Sequence, residues 1–313
     1  MGKIAFVFPG QGSQAVGMCK AFYDAYPVVR EIFEEADDAL GFSLTKLCFE
    51  GPEEALRLTE NTQPAILTAS VAAAAVLKGQ GVSCQVAAGH SLGEYSALVN
   101  NGALKFADAV RTVRLRGRFM QEAVPVGEGT MAAVLGLAGD RIVAVCREVE
   151  AEGAGVVQAV NFNCPGQVVI AGATGAVEKA LSALKAAGAK RAVRLAVSAP
   201  FHSSLMRPAS ERLAEVLGPV AISDIEVPVV ANVTAKEVTE GSVIKELLIR
   251  QAACPVLWEE SVRAMAAGGV GTFIEVGPGK VLTGFTKKIA KGLPALNVED
   301  PASLEKTLAA LAK

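Results

Sequence analysis

An α/β protein with a small inserted second unit is the architecture this chain predicts. Short β-branched or apolar runs alternate with helical stretches along most of its length. The middle departs from that pattern and reads β-α-β-β-α-β, the order of a split βαβ unit. Length agrees, because 313 residues exceed the size at which a single hydrophobic core usually stops growing.

In chain order, the first strand is expected at residues 4–8 and is followed by a charged helical stretch over 22–40. Thr62, just before Gln63 and Pro64, marks the expected start of a helix over 64–77, with proline in its first turn. A strand at 84–88 leads through a glycine-rich turn into a helix over 94–100, stopped by Asn100-Asn101-Gly102. A longer helix covers 104–123. The segment from Val124 to Gly129 reads as a linker into the insert, placed at 126–198, with the core formed by 1–125 and 199–313. Inside the insert, strands are expected at 131–136, 156–161, 167–171 and 191–197, and helices at 140–152 and 174–187. The core resumes with a helix over 203–217 and strands at 227–231 and 272–276.

Composition excludes several functional classes. At 51% hydrophobic and 20% charged the chain carries too much apolar material for disorder. A formal charge of −2, from 30 basic and 32 acidic residues, lacks the electrostatic footprint of a nucleic-acid binder. No run approaches the ~18 apolar residues a membrane span needs. The six cysteines are scattered without a CxxC pair, and with only two histidines a metal site is not expected. The N-terminus enters a strand without a charged-then-apolar leader, so a cytoplasmic protein with reduced thiols is expected.

The sharpest chemical signal is Gly89-His90-Ser91-Leu92-Gly93, set between an expected strand and an expected helix. That context fits a nucleophile elbow, where small flanking residues permit a sharp turn and expose the serine. The backbone N–H of Leu92 then points toward an anion developing above Ser91, and the helix N-terminus adds favourable potential. A serine nucleophile needs a base. His90 neighbours it on a turn where adjacent side chains diverge, so His202 is the candidate base by elimination and His90 supports the turn. The third partner stays open: Asp224, Glu226, Glu275 or a backbone carbonyl could orient the imidazole.

Arg116 falls on the helix stripe of Ala109, Val113 and Met120, the core side, whereas Arg111, Arg114 and Arg118 share a solvated face. A buried guanidinium demands an anion, either a protein carboxylate or a substrate carboxylate gripped by its fork. Near the N-terminus, Gly10-Gln11-Gly12-Ser13-Gln14-Ala15 imitates a dinucleotide fingerprint. The charged helical stretch over 22–40 stands where that fingerprint needs a second strand, so a role in placing N–H groups near an oxyanion suits the loop better.

Together these residues resemble the malonyl-CoA:acyl carrier protein transacylases, in the stand-alone bacterial form that serves fatty acid synthesis. The resemblance rests on five motifs in the family's order: Phe8-Pro9-Gly10-Gln11-Gly12-Ser13-Gln14, Gly89-His90-Ser91-Leu92-Gly93-Glu94-Tyr95, Arg116-Gly117-Arg118-Phe119-Met120-Gln121, Asn161-Phe162-Asn163-Cys164-Pro165-Gly166-Gln167 and Glu275-Val276-Gly277-Pro278-Gly279. It implies a discontinuous α/β-hydrolase-like core with a ferredoxin-like insert. It implies further that Ser91 takes malonyl from CoA as an ester while His202 relays the proton, and that the N–H groups of Gln11 and Leu92 hold the oxyanion. Arg116 would grip the free malonyl carboxylate, and Met120, Phe201 and Asn161 would line the acyl site. The backbone carbonyl of Gln251 would orient His202. Cys164 stands where serine is common in the family, with little consequence expected.

The malonyl group would then pass to the phosphopantetheine thiol of acyl carrier protein in a ping-pong cycle, with no bound cofactor and no need for more than a monomer. Carrier protein is acidic in this family, so docking is expected on basic surface: Lys190 and Arg191 on the insert, or Lys287, Lys288 and Lys291 on a late helix. Two other functions compete. A thioesterase would share the elbow but admit water to the acyl-enzyme, and a silent carrier-binding module would have no use for Ser91, His202, Gln11 and Arg116 together.

Overall fold

The computed structural model describes residues 2–197 and 199–312. The chain opens with β1 (Lys3–Phe8), α1 (Lys20–Ala25), α2 (Pro27–Leu40), α3 (Leu44–Glu50), α4 (Glu53–Leu56) and α5 (Thr59–Gly79). β2 (Val86–Gly89), α6 (Gly93–Asn100) and α7 (Phe106–Glu122) follow. The middle comprises β3 (Gly129–Leu135), α8 (Gly139–Ala151), β4 (Val157–Cys164), β5 (Gln167–Ala173), α9 (Thr174–Ala186) and β6 (Arg191–Arg194). After a 3₁₀ turn at Ser204–Met206 come α10 (Arg207–Leu217), β7 (Val229–Val230), β8 (Glu237–Val238), α11 (Gly241–Gln251) and α12 (Trp258–Ala267). β9 (Val270–Val276), α13 (Val281–Ile289), β10 (Ala295–Val298) and α14 (Pro301–Leu311) complete the chain.

Two sheets result. The larger has the order β10-β9-β1-β2-β7-β8, parallel throughout except for the β7–β8 pair. The smaller, order β4-β5-β3-β6, is wholly antiparallel, which is the ferredoxin-like arrangement of a split βαβ unit. The fold is therefore α/β, with a hydrolase-like core sheet and a second, ferredoxin-like sheet. β1 lies at the switch point of the larger sheet, because the chain runs from it to β2 on one side and returns as β9 on the other. Ligands in open α/β sheets gather beyond the carboxyl ends of strands at such a point.

Helices cover both faces of the large sheet, so its central strands are apolar on both sides. Ala5 and Val7 of β1 face the cluster of Trp258, Val262 and Leu282, while Phe6 and Phe8 face α2, α5 and α6. The small sheet packs α8 and α9 on one face. Its other face carries Met131, Val160, Val169 and Ala171, which meet Phe119, Met120, Phe201 and Met206. That contact places the small sheet over the C-terminal half of α7.

Among the expected boundaries that shift, four do so for an identifiable local reason. The helix expected over 22–40 breaks at Tyr26, which is extended (φ −124°, ψ 118°) because Pro27 forbids the helical region to its predecessor and begins α2. α5 begins at Thr59, so Pro64 lies inside the helix rather than in its first turn. Its missing N–H forfeits one bond, which the burial of fifteen side chains outweighs. The strand expected over 227–231 shortens to Val229–Val230: Pro228 has no N–H to donate, and Asn232 turns its own toward Glu94. β6 ends at Arg194 instead of 197: Leu195 still donates its N–H to the Met131 carbonyl at 2.9 Å, but the chain then bends, and Leu195 and Val197 line the cleft.

Candidate active site

The turn after β2 carries the nucleophile. Ser91 has φ 51°, a left-handed conformation that costs a non-glycine residue of order 1–3 kcal/mol and is retained where the surroundings over-determine it. The surroundings here are glycines. A Cβ on Gly89 would collide with the backbone of Gly93, one on Gly93 with the Phe8 carbonyl, and one on Gly10 with the His90 carbonyl. Three backbone segments therefore pack in direct contact under the turn. Asn232, at the end of β7, clamps it: the Ser91 N–H donates to Asn232 Oδ1 at 2.7 Å, and Asn232 Nδ2 donates to the Gly89 carbonyl at 2.6 Å.

His202 is the partner of Ser91. The serine hydroxyl and His202 Nε2 lie 2.8 Å apart, and His202 Nδ1 lies 2.9 Å from the Gln251 carbonyl. A carbonyl only accepts, so Nδ1 bears the proton and Nε2 is left to take one from Ser91. His202 also has a left-handed backbone, φ 64°. Burial, then the Arg116 charge, pushes its pKa down to about 3, so the imidazole is neutral and able to accept a proton throughout the ordinary working range. The three carboxylates left open by the sequence are engaged or remote. Asp224 accepts from the Gly241 N–H, Glu275 caps α13 through the N–H groups of Leu282 and Thr283, and Glu226 is exposed. His90 binds Asn163 Oδ1 at 2.9 Å and packs against Trp258.

Arg116 is 1% exposed. Its Nη1 donates to Gln63 Oε1 at 2.8 Å, and its Nη2 donates to Gln251 Oε1 at 2.9 Å and to Ser91 Oγ at 3.1 Å. Nε has no partner among the described residues. Two neutral amide oxygens and a hydroxyl thus hold a buried cation whose charge no direct carboxylate neutralises. α7 can bring it this deep because Gly117 lets the helix touch the backbone of Thr59 and Glu60 at the start of α5.

The N–H groups of Gln11 and Leu92 donate to no protein group among the described residues, as a site awaiting an anion requires. Gln11 is tethered by its side chain, which donates to Thr59 Oγ1 at 3.3 Å. A cavity of about 120 Å³ unites Gln11, Ser91, Leu92, Arg116, Met120, Asn161, Phe201 and His202, with Met131 of the small sheet above them. Gln251 lies directly behind. Arg191, Lys287 and Lys288 are not part of this constellation and lie exposed on the surface.

Four residues of the site were missed from the sequence: Gln63, Asn232, Glu94 and the side chain of Gln251. Glu94 alone had a local signal, an acidic residue in the first turn of an elbow helix. It is 2% exposed, accepts from Gln251 Nε2 at 2.7 Å and from the Asn232 N–H at 3.0 Å, and burial pushes its pKa up to about 7.

Chemically the arrangement offers a hydroxyl, a neutral base, two N–H donors without a protein acceptor among the described residues, and a cationic fork within hydrogen-bond reach of the hydroxyl. Residues 5–305 match the acyl transferase domain family. The chain is 53% identical over 305 residues to the malonyl CoA-acyl carrier protein transacylase of Bacillus subtilis strain 168, covering 97% of this chain and 96% of the relative. It is 53% identical over 309 residues to the enzyme of that name from Escherichia coli K12, covering 98% and 99%. Among solved structures, the acyl-carrier-protein S-malonyltransferase of Burkholderia pseudomallei 1710b superposes with a TM-score of 0.95 at 52% identity, covering 98% of this chain and 99% of that one. A malonyl-transacylase in complex with its type II PKS acyl-carrier protein superposes equally well, TM-score 0.95 at 50% identity, again covering 98% and 99%.

Proposed function

The chain belongs to the acyl transferase domain family, and we propose that Ser91 and His202 carry malonyl from CoA to acyl carrier protein. The same transfer is the named activity of relatives covered over 96% and 99% of their length, and its product here would be malonyl-acyl carrier protein for fatty acid synthesis. The observation carrying the residue assignment is the serine–histidine–carbonyl chain ending at a buried, uncompensated arginine.

In the first half-reaction Ser91 Oγ attacks the thioester carbonyl and its proton passes to His202 Nε2. The N–H groups of Gln11 and Leu92 receive the oxyanion, while Arg116 exchanges its bond to Ser91 for the malonyl carboxylate. Collapse breaks the C–S bond, and His202 returns the proton to the leaving CoA sulfur. In the second half-reaction the phosphopantetheine thiol of the carrier attacks the ester, gives its proton to His202, and Ser91 leaves with that proton. Every group used is a side chain or backbone atom of one chain, so the chemistry needs neither a cofactor nor a second copy. Met120, Phe201 and Asn161 bound the acyl chamber. The proposed division into 1–125 and 199–313 around an insert at 126–198 gives that chamber its floor and roof, although its boundary at Ser198 lies outside the described residues. No helix is long and apolar enough to cross a membrane among the described residues. The six free thiols suit the proposed cytoplasmic location.

The decisive experiment is intact-protein mass after incubation with malonyl-CoA, repeated after adding holo acyl carrier protein. One malonyl increment that disappears onto the carrier is expected. An increment that decays in buffer at the same rate without carrier would mark a hydrolase instead.

His202 should contribute no acid-side loss to acylation between pH 5 and 7, where the buried Glu94, pushed up to about 7, is the site group that changes protonation. A base with its pKa near 3 is already deprotonated there, whereas an ordinary histidine would lose activity below about pH 6.5. Pre-steady-state acylation rates across that range check this, and a limb near pH 6.5 that persists in Glu94→Gln would contradict it.

For carrier docking, the two late lysines separate. Lys287 lines a groove with Lys280 and Lys306, whereas Lys288 lies near enough to Cys164 for its charge to oppose the effect of burial on that thiol. Val281 and Phe285, on the Lys288 side of α13, line a cavity shared with Gln11 and Asn161. Lys288→Glu is therefore expected to raise the carrier KM by about three- to tenfold while sparing acylation by malonyl-CoA, as a rim charge does. Lys287→Glu should change it by less than about twofold, and Arg191→Glu tests the insert. An unchanged KM for Lys288→Glu removes this face from the docking surface.

A further inference from the structure

Behind the catalytic chain lies a carboxylate that the proposed transfer does not use. Glu94 Oε2 accepts from the Gln251 side chain at 2.7 Å and from the Asn232 N–H at 3.0 Å. Each of these donors has a second duty. Gln251 also accepts from His202 Nδ1 at its backbone carbonyl and from Arg116 Nη2 at its side-chain oxygen. Asn232 holds the Ser91 N–H and the Gly89 carbonyl.

The orientation of the Gln251 amide is the crux. Its Nε2 faces two acceptors, Glu94 Oε2 and the Ser91 carbonyl at 3.0 Å, and its Oε1 faces the Arg116 guanidinium. A flipped amide would set N–H against N–H at Arg116 and oxygen against two oxygens at the other end, each a buried polar group without a partner. Were Glu94 absent, the flip would be resisted only by Arg116 at one end of the amide and the Ser91 carbonyl at the other. The neutral amide also keeps the one nearby carboxylate from pairing with Arg116 directly. A direct pair would satisfy the fork and close it to a substrate carboxylate, whereas the relay Arg116–Gln251–Glu94 holds the guanidinium through a neutral amide and leaves the fork available.

We propose that Glu94 is a positioning residue for carboxylated acyl groups: it fixes the Gln251 amide so that Arg116 presents its fork to the substrate while the same residue's carbonyl orients His202. This rests on the malonyl transfer proposed above.

The test compares single-turnover self-acylation by malonyl-CoA and acetyl-CoA in the full-length enzyme, with thermal unfolding measured alongside. Glu94→Ala should cut malonyl acylation about tenfold or more beyond its effect on acetyl, the scale of one hydrogen bond to a charged group. Glu94→Gln can place an amide oxygen where Oε2 stands and should restore most of the malonyl preference. Glu94→Asp, one methylene short, should lose preference as alanine does, and it carries the test if the alanine variant does not fold. Equal losses for both donors, or a glutamine variant as indiscriminate as alanine, would overturn the proposal. A wild-type enzyme that takes no malonyl would overturn the transfer itself, which the wild-type control reads separately.

Discussion

Ser91→Ala is expected to fold normally, to gain no malonyl increment, and to transfer malonyl about 10⁴- to 10⁶-fold more slowly than wild type, the range seen when a covalent nucleophile is removed. The alanine keeps the left-handed turn, because Gly89, Gly93 and the Asn232 clamp impose it through contacts with backbone rather than with the hydroxyl. What disappears is the single atom shared by His202 and Arg116. Intact mass, a coupled transfer assay and a melting curve check the three parts. A persistent increment would mean that another residue is acylated and would sink the serine assignment.

Arg116→Ala is expected to reduce malonyl transfer by about 10²- to 10³-fold, in line with the 2–5 kcal/mol lost when one partner of a buried charged contact is truncated. Acetyl transfer should fall far less, because acetyl offers no carboxylate for the fork. Part of the cost is structural: the oxygens of Gln63 and Gln251 would lose their donor. Arg116→Lys separates the contributions. It keeps the charge but loses the planar fork, and should fall between wild type and alanine for malonyl. The malonyl-to-acetyl ratio of kcat/KM is the readout, and equal losses for both donors would make Arg116 a structural residue.

The most legible parts of the site were those encoded within a few residues. Gly89-His90-Ser91-Leu92-Gly93 specifies a strand, a tight turn and a helix through steric constraints that neighbouring residues impose on one another. Helical periodicity alone set Arg116 on the buried side of α7, where it is 1% exposed. The small unit's element order, β-α-β-β-α-β, followed from periodicity along the chain, although its last strand ends at Arg194 rather than 197. Local rules also misled. Proline beside Thr62 suggested a helix start, yet α5 is so thoroughly buried that one lost backbone bond did not decide where it begins. At Tyr26 the opposite held, and the restriction before Pro27 broke a helix that the charge pattern had suggested was continuous.

The remaining assignments depended on contacts between distant segments. Gln251 meets His202 through a backbone carbonyl, a group every residue carries, across 49 positions of sequence. Asn232 reaches Ser91 across 141 positions, and Gln63 reaches Arg116 across 53. Residue type and spacing specify backbone shape and the inventory of reactive groups, because those depend on sterics and periodicity between near neighbours. The identity of the group that orients the base, the neutrality of the contacts around Arg116, and the carboxylate one amide behind it arise when burial strips water from these side chains and each must find its partner on another element.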